Sequence, residues 1–517
     1  MILAALRKKP IVILLAVTLV IGLFVFRDYG LTWDEPLFYK YGDALGYAYT
    51  PANWLSGHFD LNQSYGPSGD DHKNRGPAYL LLAREPVYAI ERLGVDGPSA
   101  WHLVNFLTFL LGVYFVYKLA ERLVSMWAAA AAAALYAFQP MLWGHGFINP
   151  KDMPFLVFFT GAVWLGLRMA DELLDAGQES RGRAFVRVLL PALLLGLATA
   201  NRVLGPLAGL WVLVYLIARR PPPRALLWMI PYTLVSALIV IITWPYLWEG
   251  PARFLDAFQF MSANPTVLPV LFGDQTYRAF ELPRRYLPFF LFFTLTEFVW
   301  PLLLFGLIAS ARRLWSDRRR LLEVGLLLGW FGLPFLYVVL RRPPIYDGMR
   351  HFLFILPPVF ILSALAFETI FPRLRRPLVN VLLTLAILLP GIIGTIGLHP
   401  YEYAYYNSFI GGTSGAFRHY ETDYWLTCYK EAVQEFDRVE TGPVKLYVHR
   451  EAEVAQPYAA ANVTVLDERG AKDQITSGDF VLVNTRTNED RQTFHDAPTL
   501  LSVGRAGATF CIVKSIP

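Results

Sequence analysis

The sequence predicts an α-helical polytopic membrane protein of about eleven transmembrane helices, with a small extracytoplasmic α/β domain at its C-terminal end. Three observations predict it. Only 17% of the 517 residues are charged, where a soluble chain carries about 25%. The charges cluster between apolar runs of roughly 16–24 residues, and about 20 residues span a bilayer. The last stretch of chain breaks this pattern and alternates short apolar runs with turn residues.

The apolar run from Ile11 to Phe26 follows a basic start, Arg7, Lys8 and Lys9, and ends at Arg27 without a small-residue cleavage site. It is expected to be a retained helix rather than a signal peptide. The spans expected are 10–27, 101–120, 126–144, 153–170, 185–200, 203–218, 225–247, 287–310, 321–340, 351–370 and 377–397. Residues 185–218 read either as one long helix or as two around Asn201-Arg202. Charge decides for two. Basic residues then fall on one side throughout: Arg7/Lys8/Lys9, Lys118/Arg122, Arg181/Arg183/Arg187, Arg219/Arg220/Arg224, Arg312 to Arg320 and Arg373/Arg375/Arg376. That is the cytoplasmic bias of membrane proteins. A single span would invert every later loop.

This topology gathers 28–100, 145–152, 248–286, 341–350 and the tail on the outer face. The chain divides into a transmembrane module, 1–397, and an extracytoplasmic α/β domain, 398–517. Ala78 to Leu93 interleaves apolar residues with Arg84, Glu85, Glu91 and Arg92, as a helix lying in the membrane interface does. In the tail, helical spacing over Lys430 to Val439 precedes strand-like runs at 444–449, 463–466, 480–484, 499–503 and 508–513. Cys428 and Cys511 suit a disulfide or two free thiols equally, and do not suggest a zinc site. The net charge of +5 is explained by topology and does not call for nucleic acid.

Three outer segments carry residues suited to chemistry. Asp34 and Glu35 follow the first span among Tyr29, Trp33, Pro36 and Phe38. They are either helix-capping loop residues or a partly dry general base for an attacking hydroxyl. Asn149-Pro150-Lys151-Asp152 joins two helices. Asp152 reads as a cap or as a second acid, with Lys151 an anion partner. Arg350 and His351 follow Tyr346-Asp347-Gly348-Met349. With Arg341, Arg342, Arg284 and Arg285, Arg350 breaks the inside-positive trend, which a bound phosphate or lipid headgroups would explain. An ionisable group in the bilayer costs at least ~2.5 kcal/mol, so Arg202 is better placed at the tip of the short hairpin, reaching outward; Arg202 and Glu297 are expected to line an inner cavity, with a pair between them as one option. His102 and His419 have no evident partner and read as structural.

In order, Thr32-Trp-Asp-Glu-Pro36, Asn149-Pro-Lys-Asp152, Leu282-Pro283 with Tyr286, Arg350-His351 with Pro357-Pro358, His399-Pro-Tyr-Glu-Tyr403 and Gly411-Gly412 resemble lipid-carrier-dependent glycosyltransferases of the GT-C fold. Protein O-mannosyltransferases and lipid A aminoarabinose transferases are relatives. The resemblance covers about 1–427, and Glu421-Thr-Asp-Tyr-Trp425 with Tyr429-Lys-Glu431 extends it to bacterial members. It implies an inverting transfer at the outer face from a polyprenyl-phosphate-linked sugar to an acceptor that is a protein, lipid or glycan, in a bacterial cytoplasmic membrane. By similarity Asp34, with Glu35 beside it, is the catalytic base, Asp152 the second acid, and Arg350 a contact of the carrier phosphate. His351, Lys151, Arg202 and Arg285 are the further candidates for donor binding. A His-Pro-Pro-type stretch of relatives is replaced here by Asp71-His72-Lys73-Asn74-Arg75-Gly76-Pro77, where His72 and Lys73 would take its part.

Arg and Lys can meet the charge of a departing phosphate without a metal. No cofactor is therefore expected, and a divalent ion between Asp34 and Asp152 is the rival arrangement. A lipid-linked sugar flippase or transporter is the rival function. It is disfavoured by the lack of an internal repeat and of acids at mid-membrane.

Overall fold

The computed structural model describes residues 9–175, 181–263 and 267–517. Arg7 and Lys8 of the expected charge ladder, and the Arg181 side chain, lie outside the described residues. The helices that build the membrane module are α1 (Pro10–Val25), α2 (Glu35–Leu45), α3 (Ala78–Glu91), α4 (Gly97–Ala120), α5 (Met126–Ala137), α6 (Pro140–Ile148), α7 (Asp152–Asp175), α8 (Arg181–Thr199), α9 (Pro206–Ala218), α10 (Met229–Thr243), α11 (Arg253–Ala263), α12 (Tyr286–Phe293), α13 (Val299–Ser316), α14 (Arg318–Arg341), α15 (Pro357–Leu374) and α16 (Pro377–Leu398).

Each of the eleven expected segments is helical. Among the described residues, seven helices are long and apolar enough to cross a membrane: α4, α7, α8, α10 with the turn before it, α14, α15 and α16. The apolar helices α1, α5 and α9 are shorter. The 185–218 region folds as two helices, with Asn201 and Arg202 at the turn between them. The chain is an integral membrane protein.

Two expected spans are broken rather than continuous. The 126–144 segment stops at Phe138-Gln139 before Pro140, and the 287–310 segment is interrupted between Phe293 and Val299. The breaks repair each other. The Gln139 amide donates to the Thr294 carbonyl at 3.0 Å. Its oxygen accepts from the Thr296 N–H and hydroxyl, each at 3.2 Å. Asn407 Nδ2 donates to the Phe292 and Leu295 carbonyls. Broken helices persist at membrane depth only where such partners replace the lost backbone bonds.

α7 is almost wholly buried and runs through the middle of the bundle. Asp152 begins it. Asp171 lies nineteen residues on, about 28 Å away at 1.5 Å per residue, close to the ~30 Å hydrocarbon thickness of a bilayer. Asp171 gathers Arg122, Arg219 and Arg319, all from segments expected on the cytoplasmic side. Glu323 shares Arg122 and Arg319 with it. The other end of α7 holds the acids and bases expected on the outer side.

The C-terminal stretch forms α17 (Tyr429–Val439) and the strands β1 (Val444–Val448), β2 (Val463–Asp467), β3 (Phe480–Asn484), β4 (Thr499–Arg505) and β5 (Ala508–Ser515). They make one sheet of order β2-β1-β3-β5-β4. β1 pairs in parallel with β2 and β3, and β5 is antiparallel to β3 and β4. β3 is buried along its whole length, as an apolar run at a sheet centre requires. α17 packs Tyr429, Ala432, Val433 and Phe436 onto this sheet. Cys428 and Cys511 are buried free thiols.

Candidate active site

Three distant segments meet at the N-terminal end of α7. Asp34 stands at the start of α2 and Asp152 opens α7. Arg350 begins a short 3-10 turn (Arg350–Ile355) ahead of α15. Arg350 Nη1 donates to Asp34 Oδ2 at 2.6 Å and lies 3.9 Å from Asp152 Oδ2. Its Nη2 is 2.9 Å from Asp347 Oδ2. The guanidinium also faces the Trp425 ring at 4.9 Å and the Tyr346 ring at 5.2 Å. Burial loosens the Arg350 proton, but the Asp34 and Asp347 carboxylates hold it more firmly than usual.

Asn149 fixes the second acid. Its oxygen accepts from the Lys151 and Asp152 N–H groups at 3.1 and 2.7 Å, capping α7, and its amide donates to Asp152 Oδ2 at 3.2 Å. The cap is therefore Asn149, and Asp152 is left free to pair. Arg202 supplies the pair, from the turn between α8 and α9. The Arg202–Glu297 pair does not form. Glu297 instead accepts from the Ser408 N–H at 2.8 Å.

Exposure separates the roles. Asp34 keeps 28% of its side chain open, against 2% for Asp152, 8% for Arg350 and 0% for Asp347. Asp34 is the outlet of the cluster. Lys151 is buried and its side-chain nitrogen makes no hydrogen bond among the described residues. It lies over the Phe38 ring at 5.1 Å. Burial and the Arg75 and Arg202 cations push it well below the usual lysine range. Burial with Arg350 and Arg75 also weakens the hold of Arg202 on its proton. His351 stands edge-on to Tyr346 at 4.8 Å.

Several sequence expectations change. Glu35 turns away from Asp34 and is fully buried. Its carboxylate accepts from the Thr32 N–H at 2.6 Å, from His102 Nε2 at 3.0 Å and from the Tyr39 hydroxyl. Successive residues on a helix do not share a face, so the acid pair is split between two jobs. His102 therefore has a partner, and so has His419, which meets Asp274. Lys73 pairs with Asp70 at 2.9 Å rather than with the cluster. The nearby first-loop cation is Arg75, held by Asp71 at 2.7 Å. His72 is stacked between Tyr41 and Phe38, and burial with Lys151 pushes it down to about 4. Arg285 is exposed and rests on Phe272 at 5.7 Å, away from the cluster.

The sequence did not single out two residues of the site as functional, Asp347 and Arg486. Asp347 has a left-handed backbone, φ 56°, followed by Gly348 at 63°. A non-glycine residue held there costs about 1–3 kcal/mol and persists only where its surroundings over-determine it. The signal in the sequence was its position three residues before Arg350. Each of the two acids has a cation partner, Arg350 on Asp34 and Arg202 on Asp152.

Residues 90–248 match the model of a family described as dolichyl-phosphate-mannose-protein mannosyltransferase. No curated protein matches the chain. Among solved structures, ArnT from Cupriavidus metallidurans in the apo state is 14% identical, covering 99% of this chain and 98% of its own, with a TM-score of 0.50. The archaeal oligosaccharyltransferase AglB from Archaeoglobus fulgidus, in complex with an inhibitory peptide and a dolichol-phosphate, is 12% identical. The match covers 94% of this chain and 70% of AglB, with a TM-score of 0.52. The fold expected from the ordered motifs is the fold observed: the chain has the GT-C fold, shared with these two structures.

Proposed function

We propose that the protein is an inverting glycosyltransferase that moves a sugar from a polyprenyl-phosphate-linked donor to an acceptor at the extracytoplasmic face of a bacterial cytoplasmic membrane. The observation that carries this reading is the meeting of Asp34, Asp152, Arg350 and Arg202 at the start of α7, with the buried Lys151 beside Asp152 making no side-chain hydrogen bond among the described residues. A buried polar group without a partner is costly, and an arriving anion would give the Lys151 side chain one and favour its charged form. The AglB structure carries dolichol-phosphate, a ligand of the required chemistry.

In this reading the carrier phosphate is held by Lys151, Arg202 and Arg350. The acceptor hydroxyl attacks the anomeric carbon from the side opposite the phosphate. The new carbon–oxygen bond forms as the bond to the phosphate oxygen breaks, and that oxygen leaves with the electron pair. Asp34, the most open of the acids, takes the acceptor proton. The fixed cations meet the charge that develops on the leaving phosphate. Asp152 orients Arg202 and Arg350. Asp34, Asp152, Arg350, Lys151 and Arg202 are thus the site residues proposed, with His351 a neighbour of Arg350 and Glu35 the support of the α2 start.

Mass spectrometry of lipid extracts from cells lacking the gene tests the proposal. A polyprenyl-phosphate-linked sugar should accumulate. An unchanged lipid-linked sugar pool would count against it.

A further inference from the structure

The C-terminal sheet sends one side chain into the site. β3 ends at Asn484, and Arg486 follows it with 1% of its side chain exposed. The turn is anchored: Asn484 Oδ1 accepts from the Arg486 N–H at 3.1 Å, and Thr485 donates to the Thr509 and Phe510 carbonyls of β5. The Arg486 guanidinium lies over the Trp33 ring at 4.5 Å, next in sequence to Asp34. Its Nη2 donates to Asp347 Oδ1 at 2.7 Å and is 3.1 Å from Glu421 Oε1. The second oxygen of Asp347 faces Arg350, and Arg350 in turn holds Asp34.

Asp347 thus divides its two oxygens between two arginines. Were Arg486 absent, a fully buried carboxylate would have Arg350 alone to balance it, and Asp34 would have to compete for the same guanidinium. We infer that Arg486 is a positioning residue: by taking one oxygen of Asp347, it lets the C-terminal unit keep Arg350 aligned on Asp34. This rests on the reading of Asp34 as the base. The titratable groups around this chain of contacts are Asp152, Arg202, Lys151 and Arg75 near Asp34, and Glu421 and Glu489 near Arg486. Tyr346 faces Arg350 as well.

The test adds purified protein to membranes of cells lacking the gene and follows loss of their accumulated lipid-linked sugar. Arg486→Gln should lower the rate at least tenfold, and Arg486→Lys should fall between it and wild type. The double variant D347N/R486Q removes both members of the pair and frees Arg350 for Asp34, so its rate should recover toward wild type, which the loss of a merely structural contact would not allow. A folded Arg486→Gln with the wild-type rate would overturn the inference. Should that single variant not fold, the double carries the test, and a folded double variant without activity would overturn it. Failure of wild type itself to consume the lipid would strike the function reading and this inference with it.

Discussion

Arg486 and Asp347, 139 residues apart in sequence, form a buried ion pair that joins the C-terminal sheet to the loop holding Arg350. Removing one member of such a pair strands the other charge and typically costs about 3–5 kcal/mol. The tail is therefore part of the site's framework, whatever else it recognises.

Lys151 gives the sharpest prediction about the donor. A bound phosphate should raise the melting temperature of the wild type, as any ligand of the native state does. Lys151→Met removes a buried polar group that makes no hydrogen bond among the described residues, so the variant should melt at or above the wild-type temperature. It should nevertheless lose the rise given by polyprenyl monophosphate. A thermal shift in detergent reads both. A destabilised variant that still responds fully to polyprenyl monophosphate would deny Lys151 its role.

Glu421 makes a pH prediction. Burial pushes its carboxyl up to about 8 from 4.5, with Arg486 opposing and Asp347 adding to the rise. The folded state then keeps a proton that the unfolded chain has released above about 4.5. The stability tied to that proton is full below the unfolded value and lost as pH rises through about 8. Melting temperatures measured from pH 5 to 9 should fall more steeply for wild type than for Glu421→Gln, with the variant ahead at the alkaline end. Parallel curves would show that Glu421 is ionised in the fold.

Gln139 tests the paired helix breaks. Gln139→Leu keeps the volume but leaves the Thr294 carbonyl and the Thr296 N–H without their partner. Each buried group so stranded costs about 1–3 kcal/mol. A drop in melting temperature of several degrees is expected, and a variant as stable as wild type would mean the breaks are held by other contacts.

What could be read from the sequence follows from which forces act locally. Span length and loop charge are local properties, so the eleven segments and the 199–206 turn were legible. The breaks at Gln139 and at 294–298 were not, because the sequence stays apolar across them and the repair comes from another helix. Asp34, Asp152 and Arg350 stood out as charges flanking apolar runs. Glu35 was misassigned beside Asp34 because adjacency in sequence is not adjacency on a helix face. Arg486 had no local mark: it is one arginine among many in a polar tail, and only the sheet carries it to Asp347.

The central claim is that Asp34 takes the proton of the acceptor. Returning an Asp34→Asn allele to cells lacking the gene, at wild-type expression, and measuring lipid-linked sugar by mass spectrometry tests it directly. General-base help contributes about 10²–10⁴-fold, so the lipid-linked sugar should stay as high as in cells without the gene while the variant folds normally. Clearance of that lipid to the wild-type level by the Asp34→Asn protein would contradict the account.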